Sequence, residues 1–171
     1  MFFQSGPARG WICRSPLTFD KWIPSGLFLT HYFPDDPHEN QAISVGSLIL
    51  GQNGIWGDLP AISPVGVKFL HTALEKYKQV RYDMLSQPLI RQGNPGDNPE
   101  IYEKINSDSK KGAVVIFASQ PGTYFYISKE KPLQNTWHTD GVDLRFDQEG
   151  HAVIKCTFTK SDAKIVYFGV E

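Results

Sequence analysis

Two adjacent carboxylates, Asp35 and Asp36, follow the apolar and aromatic run Gly26 to Phe33 and stand between Pro34 and Pro37. If that run is a strand, the pair occupies the loop at its carboxy end. In a barrel of alternating strands and helices, that face is where active sites are built. Glycoside cleavage commonly uses two carboxyl groups, one as acid/base and one as nucleophile or base. Neighbouring carboxylates on one loop rarely fill both roles, because the two groups approach the sugar from opposite sides. One of the pair could protonate a leaving group while the other orients a hydroxyl or caps the next helix. A loop rich in Asp and Pro that merely starts a helix accounts for the same residues.

His31 and His38 bracket this loop, and Glu39 adds a third carboxylate. Their spacing matches no strong metal-ligand pattern, so no metal is expected. His31 could line a sugar pocket beside Tyr32, or be a buried imidazole with its hydrogen bonds met. Trp56, flanked by Gly54 and Gly57, could stack on a sugar ring through its flat apolar face, or pack in the core. Trp137-His138-Thr139-Asp140-Gly141 reads as a polar-aromatic loop: a turn, a contact with the front part of the chain, or a carbohydrate contact. Phosphate-cradling Gly-rich loops, Gly-x-Ser-x-Gly elbows and basic stripes are absent from the sequence, and no cofactor is expected.

The chain that must position these residues has 171 positions, 40% hydrophobic and 13% aromatic, which is ample for a packed core. A net charge of -1 gives no general field for nucleic acid or an anionic membrane, so neither is an expected partner. No segment approaches the roughly 20 apolar residues of a bilayer span. The first residues carry neither the basic stretch nor the apolar run of a signal peptide, and the compartment stays open. Cys13 and Cys156 belong to no CxxC pair and read as two buried free thiols.

Helical signals dominate the front. A helix is predicted from about His38 to Leu50, with Ile43, Gly46 and Leu50 near one face, Ser47 allowing close packing, and Gly51-Gln52-Asn53-Gly54 ending it. Ile55 to Leu59 reads as a short strand or tight loop. A second helix is predicted from about Pro64 to Leu85, with Ser63 as N-cap and Pro64 at its first position. Its stripe of Val67, Leu70, Leu74, Tyr77 and Met84 is expected in the core. After Gln87-Pro88 the period changes. Arg91 to Asn98 reads as a loop, and strands are expected at Ala113 to Ala118, Thr123 to Ile127, Val142 to Phe146, Ala152 to Phe158 and Lys164 to Phe168. Turn residues separate them every ten or so positions, as in an antiparallel sandwich.

Three segments in order, Phe28 to Gln41 (Phe-Leu-Thr-His-Tyr-Phe-Pro-Asp-Asp-Pro-His-Glu-Asn-Gln), Gly46 to Leu59 (Gly-Ser-Leu-Ile-Leu-Gly-Gln-Asn-Gly-Ile-Trp-Gly-Asp-Leu) and Tyr77 to Arg81, resemble the end of the catalytic barrel in bacterial α-galactosidase-like (melibiase-like) proteins. The remainder resembles their carboxy-terminal β-sandwich. The resemblance implies an α+β chain: the last strand/helix units of a (β/α)8 barrel over residues 1–87, then an antiparallel β-sandwich over residues 88–171. It implies a retaining mechanism with two aspartates on different strands. Asp35 best matches the acid/base, and Asp36 is the close second. The family's nucleophile lies in a Lys-x-Asp motif on an earlier strand, which nothing before Trp11 supplies. Eight strand–helix units need about 250 residues. The expectation is therefore a carboxy-terminal fragment of a glycoside hydrolase acting on α-galactoside-type sugars and inactive alone. Its expected partners are carbohydrate and either the rest of the barrel or an oligomer partner that covers its exposed faces. The alternative is a non-catalytic carbohydrate-binding or interaction module.

Overall fold

The computed structural model describes residues 17–18, 22–32, 37–94 and 96–171, with Ser25 and His31 described in their backbone only. Strand β1 (Leu29–Tyr32) pairs in parallel with β2 (Gly54–Gly57). Between them runs helix α1 (His38–Gly51), and after them helix α2 (Pro64–Leu85). Eight antiparallel strands follow, beginning with β3 (Ile90–Gln92), β4 (Glu100–Ile105), β5 (Gly112–Ala118) and β6 (Gly122–Ile127). The last four are β7 (Thr136–His138), β8 (Val142–Phe146), β9 (Ala152–Phe158) and β10 (Asp162–Phe168). They form a five-stranded sheet in the order β3-β4-β5-β10-β7 and a three-stranded sheet in the order β6-β9-β8. The architecture is mixed α+β, with one parallel pair and two antiparallel sheets.

The five-stranded sheet is the middle layer, and the period-2 alternation of its strands sorts two cores. One face sends Val114, Ile116, Val166 and Phe168 against Ile154, Cys156 and Phe158 of the three-stranded sheet. The other sends Tyr102, Val115, Phe117, Ile165 and Tyr167 into a core shared with Ile43, Ile49 and Leu50 of α1 and with Ala73, Val80 and Met84 of α2. That second core joins residues on both sides of position 87.

Helix α1 is buried at every residue from Asn40 to Gly51. Small residues let it sit that deeply. A Cβ on Gly46 would lie 2.8 Å from Val115 Cγ1 and 3.2 Å from the Phe117 ring, so the absent side chain sets the helix-to-sheet distance. The helix ends with Gln52 in the left-handed region (φ 55), its N–H donating to the Leu48 carbonyl. Helix α2 starts where its cap signal places it. Ser63 Oγ accepts a 3.1 Å bond from the Gly66 N–H, and Pro64 holds the first position. Its buried line is Gly66, Ala73, Val80 and Met84. Leu70, Leu74 and Tyr77 are half-buried against the same core, whereas Val67 is exposed. Four residues of the predicted stripe thus meet the core, and only Val67 falls outside it; Gly66 faces inward instead, where a Cβ would lie 2.6 Å from the Gln41 and Ile62 side chains.

Three strands differ from the sequence reading. β3 runs into the start of the stretch read as a loop, and the Trp137 segment forms β7 against β10. β4 was not expected at all. Its sequence Glu-Ile-Tyr-Glu-Lys-Ile carries three charges, yet all six residues are buried. Buried charge survives only when its hydrogen bonds are met. Glu103 accepts bonds from the Tyr126 hydroxyl (2.8 Å) and from the backbone N–H groups of Lys129 (2.9 Å) and Glu130 (2.8 Å). Glu100 accepts from the Tyr102 hydroxyl (2.7 Å) and the Gly96 N–H (2.6 Å). Lys104 Nζ donates to the Leu50 carbonyl (3.3 Å), placing a cation at the negative end of α1. Burial, and secondarily the Glu103 carboxylate, push the Tyr126 phenol well above its ordinary range, so it remains a donor. Cys156 is a buried free thiol, pushed up to about 12 by burial. Cys13 lies outside the described residues.

Candidate functional site

The parallel pair β1–β2 carries the chemistry-bearing positions. Its register pairs Leu29 with Gly54, Thr30 with Ile55, His31 with Trp56 and Tyr32 with Gly57. Thr30 and Tyr32 are buried, while Leu29 and Trp56 are exposed at 54% and 59%. The pair therefore has one face turned into the protein and one left open, and Trp22 and Leu27 nearby are exposed as well. Parallel sheets ordinarily have both faces covered, which makes this half-covered pair the least complete part of the described structure.

The carboxy end of the pair is built around Gly57. Its φ of 155° and the 1.8 Å that would separate a Cβ from the Tyr32 carbonyl oxygen restrict the position to glycine. Tyr32 is fully buried, and its hydroxyl donates a long 3.5 Å bond to the Gln41 carbonyl of α1. Asp35 and Asp36 lie outside the described residues, in the short segment between β1 and α1. The backbone of His31 lies in β1 beside Trp56. Of the sequence-nominated residues, the structure thus brings position 31 and Trp56 together, and it sets Tyr32 on the opposite, inward face.

The start of α1 is better defined. The His38 ring packs edge-on against Phe69 at 4.6 Å between centroids. Glu39 forms a 2.6 Å ion pair with Lys160 in the β9–β10 turn. Burial pushes the Glu39 carboxyl up, but the Lys160 hydrogen bond and charge and the backbone bond outweigh it, leaving the carboxyl below its ordinary value. Both groups are engaged in packing or pairing, and among the described residues no three His, Cys, Asp or Glu side chains gather as a metal site. Trp137 is half-buried and tilted against Tyr167 at 5.8 Å, in the core shared with the helices. Of its three readings, the contact with the front of the chain describes that position. Gly57 escaped the sequence reading; its signal was a second glycine three residues after Gly54, flanking an aromatic strand.

No protein-family model matches the chain. No curated protein matches it. Solved structures do. A GH36 α-galactosidase from Geobacillus stearothermophilus, in complex with 1-deoxygalactonojirimycin, aligns with a TM-score of 0.54 at 13% identity over 81% of this chain. A further variant of that enzyme, in complex with raffinose, aligns equally well. The α-galactosidase from Lactobacillus brevis aligns with a TM-score of 0.53 at 13% identity over 84% of this chain. The chain spans only 21% to 22% of the length of these proteins. The likeness is one of fold: a mixed α+β arrangement of parallel and antiparallel sheets resembling part of the GH36 architecture.

Proposed function

We infer that the chain is the carboxy-terminal part of a retaining glycoside hydrolase acting on α-galactoside-type sugars, and that it does not turn substrate over alone. In this reading residues 1–87 supply the last strand/helix units of a (β/α)8 barrel, and residues 88–171 form a carboxy-terminal β-sandwich. Asp35 protonates the leaving oxygen and later activates water, and Asp36 is the alternative for that role. His31 and Trp56 belong to the sugar-facing side of the same strands, and Tyr32, buried on the inward face, supports them from behind. The nucleophile and the remaining strands come from outside these residues, as the rest of the barrel or an oligomer partner.

One observation carries the reading. The order parallel pair, buried helix, long helix and two antiparallel sheets aligns with three α-galactosidase structures over four-fifths of the chain. The open face of β1–β2 supports it, since the apolar residues left exposed there are what missing barrel strands would cover. A retaining mechanism places its two carboxyl groups about 5–5.5 Å apart on opposite sides of the sugar, so one loop cannot provide both.

The test is turnover of an aryl α-galactoside and of melibiose by a polypeptide that restores the missing strands, with Asp35 or Asn at position 35. Asp35→Asn should suppress melibiose hydrolysis far more than that of the activated aryl substrate, because the better leaving group needs no proton. Equal activity of the two proteins would remove Asp35 from the mechanism. Hydrolysis by the chain by itself would overturn the claim that it is incomplete.

A further inference from the structure

The outer face of the three-stranded sheet lies on the far side of both antiparallel layers from α1 and α2. The register aligns Phe125, Lys155 and Asp143 in one cross-strand row, and Ile127, Val153 and Arg145 in the next. These are the outward members of strands whose alternate residues, Tyr126, Ile154, Cys156 and Leu144, fill the core. A shallow cleft of about 270 Å³ is lined by Phe125, Asp143, Arg145, Val153 and Lys155. Phe125 is 64% exposed and Ile127 56%. An open aromatic on the edge strand of this face, beside charged neighbours, is not required for folding, because it lies outside the core.

The polar half of the cleft carries an exposed ion pair. Arg145 donates to Asp143 through Nε (3.4 Å) and Nη2 (3.2 Å), a two-pronged pair formed across the i, i+2 spacing of one strand face. The pair holds a carboxylate acceptor and a guanidinium donor side by side, each with unused hydrogen-bonding capacity toward solvent. Lys155 Nζ lies 6.0 Å from the Phe125 ring centre and adds a donor between ring and carboxylate.

We propose that this face is a carbohydrate-binding site, with Phe125 as the stacking platform and Asp143, Arg145 and Lys155 as the hydroxyl-binding edge. A pyranose has an apolar C–H face and a rim of neighbouring hydroxyls, each of which both donates and accepts. The cleft offers the matching sequence: a ring face, then an ammonium, then a carboxylate–guanidinium pair. Its volume is below the roughly 300 Å³ where pockets for drug-sized ligands begin, which suits a single sugar ring. The site needs neither Asp35 nor hydrolysis, so its failure would leave the hydrolase reading standing.

The test is titration of the isotope-labelled full chain with melibiose, maltose and lactose, followed through backbone amide resonances. At least one sugar should give saturable shifts centred on Phe125, Asp143 and Lys155, with a dissociation constant in the millimolar range expected of one stacked ring. Phe125→Ala and, separately, Asp143→Asn should each weaken binding roughly tenfold while leaving the circular dichroism spectrum unchanged. Asp35→Asn should not alter it. Absence of saturable shifts on these strands with all three sugars would overturn the proposal. So would shifts that survive both variants, or shifts abolished by Asp35→Asn. Concentration-dependent broadening of the same amides without sugar would assign the face to self-association instead.

Discussion

The parallel pair β1–β2 and the stacked antiparallel sheets show two ways of treating a sheet face. The five-stranded sheet is covered on both sides by its own chain, by the three-stranded sheet on one and by α1 and α2 on the other. The β1–β2 pair is covered on one side and leaves Leu29 and Trp56 open on the other. The difference separates the part of the chain whose sheets are covered from the part that carries the sequence-nominated positions. Residues 88–171 and the two helices supply most of a closed core, to which Leu17, Tyr32 and Ile62 add. The pair beside the Asp35–Asp36 segment is held in place from behind and left unfinished in front, as a site-bearing edge would be.

The sharpest way to break this contrast is to attack the closed region. Glu103→Ala leaves the Tyr126 hydroxyl and two backbone N–H groups without their acceptor. At about 1–3 kcal/mol for each buried unsatisfied group, the loss should be several kcal/mol in chemical denaturation. A loss under about 1 kcal/mol would mean that the β4 carboxylate is not the hub described. Gly57→Ala attacks the open region instead. It should cost about 1–3 kcal/mol locally. Hydrogen exchange should therefore quicken in β1 and β2 while protection in β5, β9 and β10 stays put. Uniform loss of protection would show that the two regions unfold as one.

The mildest case is Lys160→Ala, which removes the Glu39 partner. The Glu39 carboxyl lies below its ordinary value of 4.5, so its stabilising share is fully present above that value. That share is lost as pH falls through the lower value in the folded protein. Lys160 is well exposed, so the loss at neutral pH should be about 0.2–1 kcal/mol. Parent and variant melting temperatures should converge in acid. A gap that persists or widens there would show that Lys160 acts through something other than Glu39.

Legibility in the sequence followed how local each signal was. Helix α2 was readable to the residue, because Ser63, Pro64 and the Gln87-Pro88 break are local instructions. Strand β8 was readable because Asp143 and Arg145 alternate with Val142, Leu144 and Phe146, and the structure buries that alternation as expected. β4 was illegible for the opposite reason. Its Glu100, Glu103 and Lys104 look solvent-facing until distant partners, Tyr126, the Lys129–Glu130 backbone and the Leu50 carbonyl, are brought to them by folding. On α2 only Val67 departs from the stripe read in the sequence, because hydrophobicity nominates it whereas close packing favours Gly66. At the candidate site, the pairing of position 31 with Trp56 follows from the aromatic runs on either side of α1. The restriction at Gly57 was not legible, since it depends on the Tyr32 carbonyl that β1 places 1.8 Å from a would-be Cβ.

The burial of α1 from Asn40 onward has a practical consequence for engineering. The run from Asn40 to Gly51 carries the packing against β10, β5 and α2, with the His38–Phe69 contact and the Glu39–Lys160 pair added at its start. Substitutions ahead of Pro37 can therefore be screened for new chemistry with the burial of Asn40 to Gly51 as the check that the helix keeps its seat.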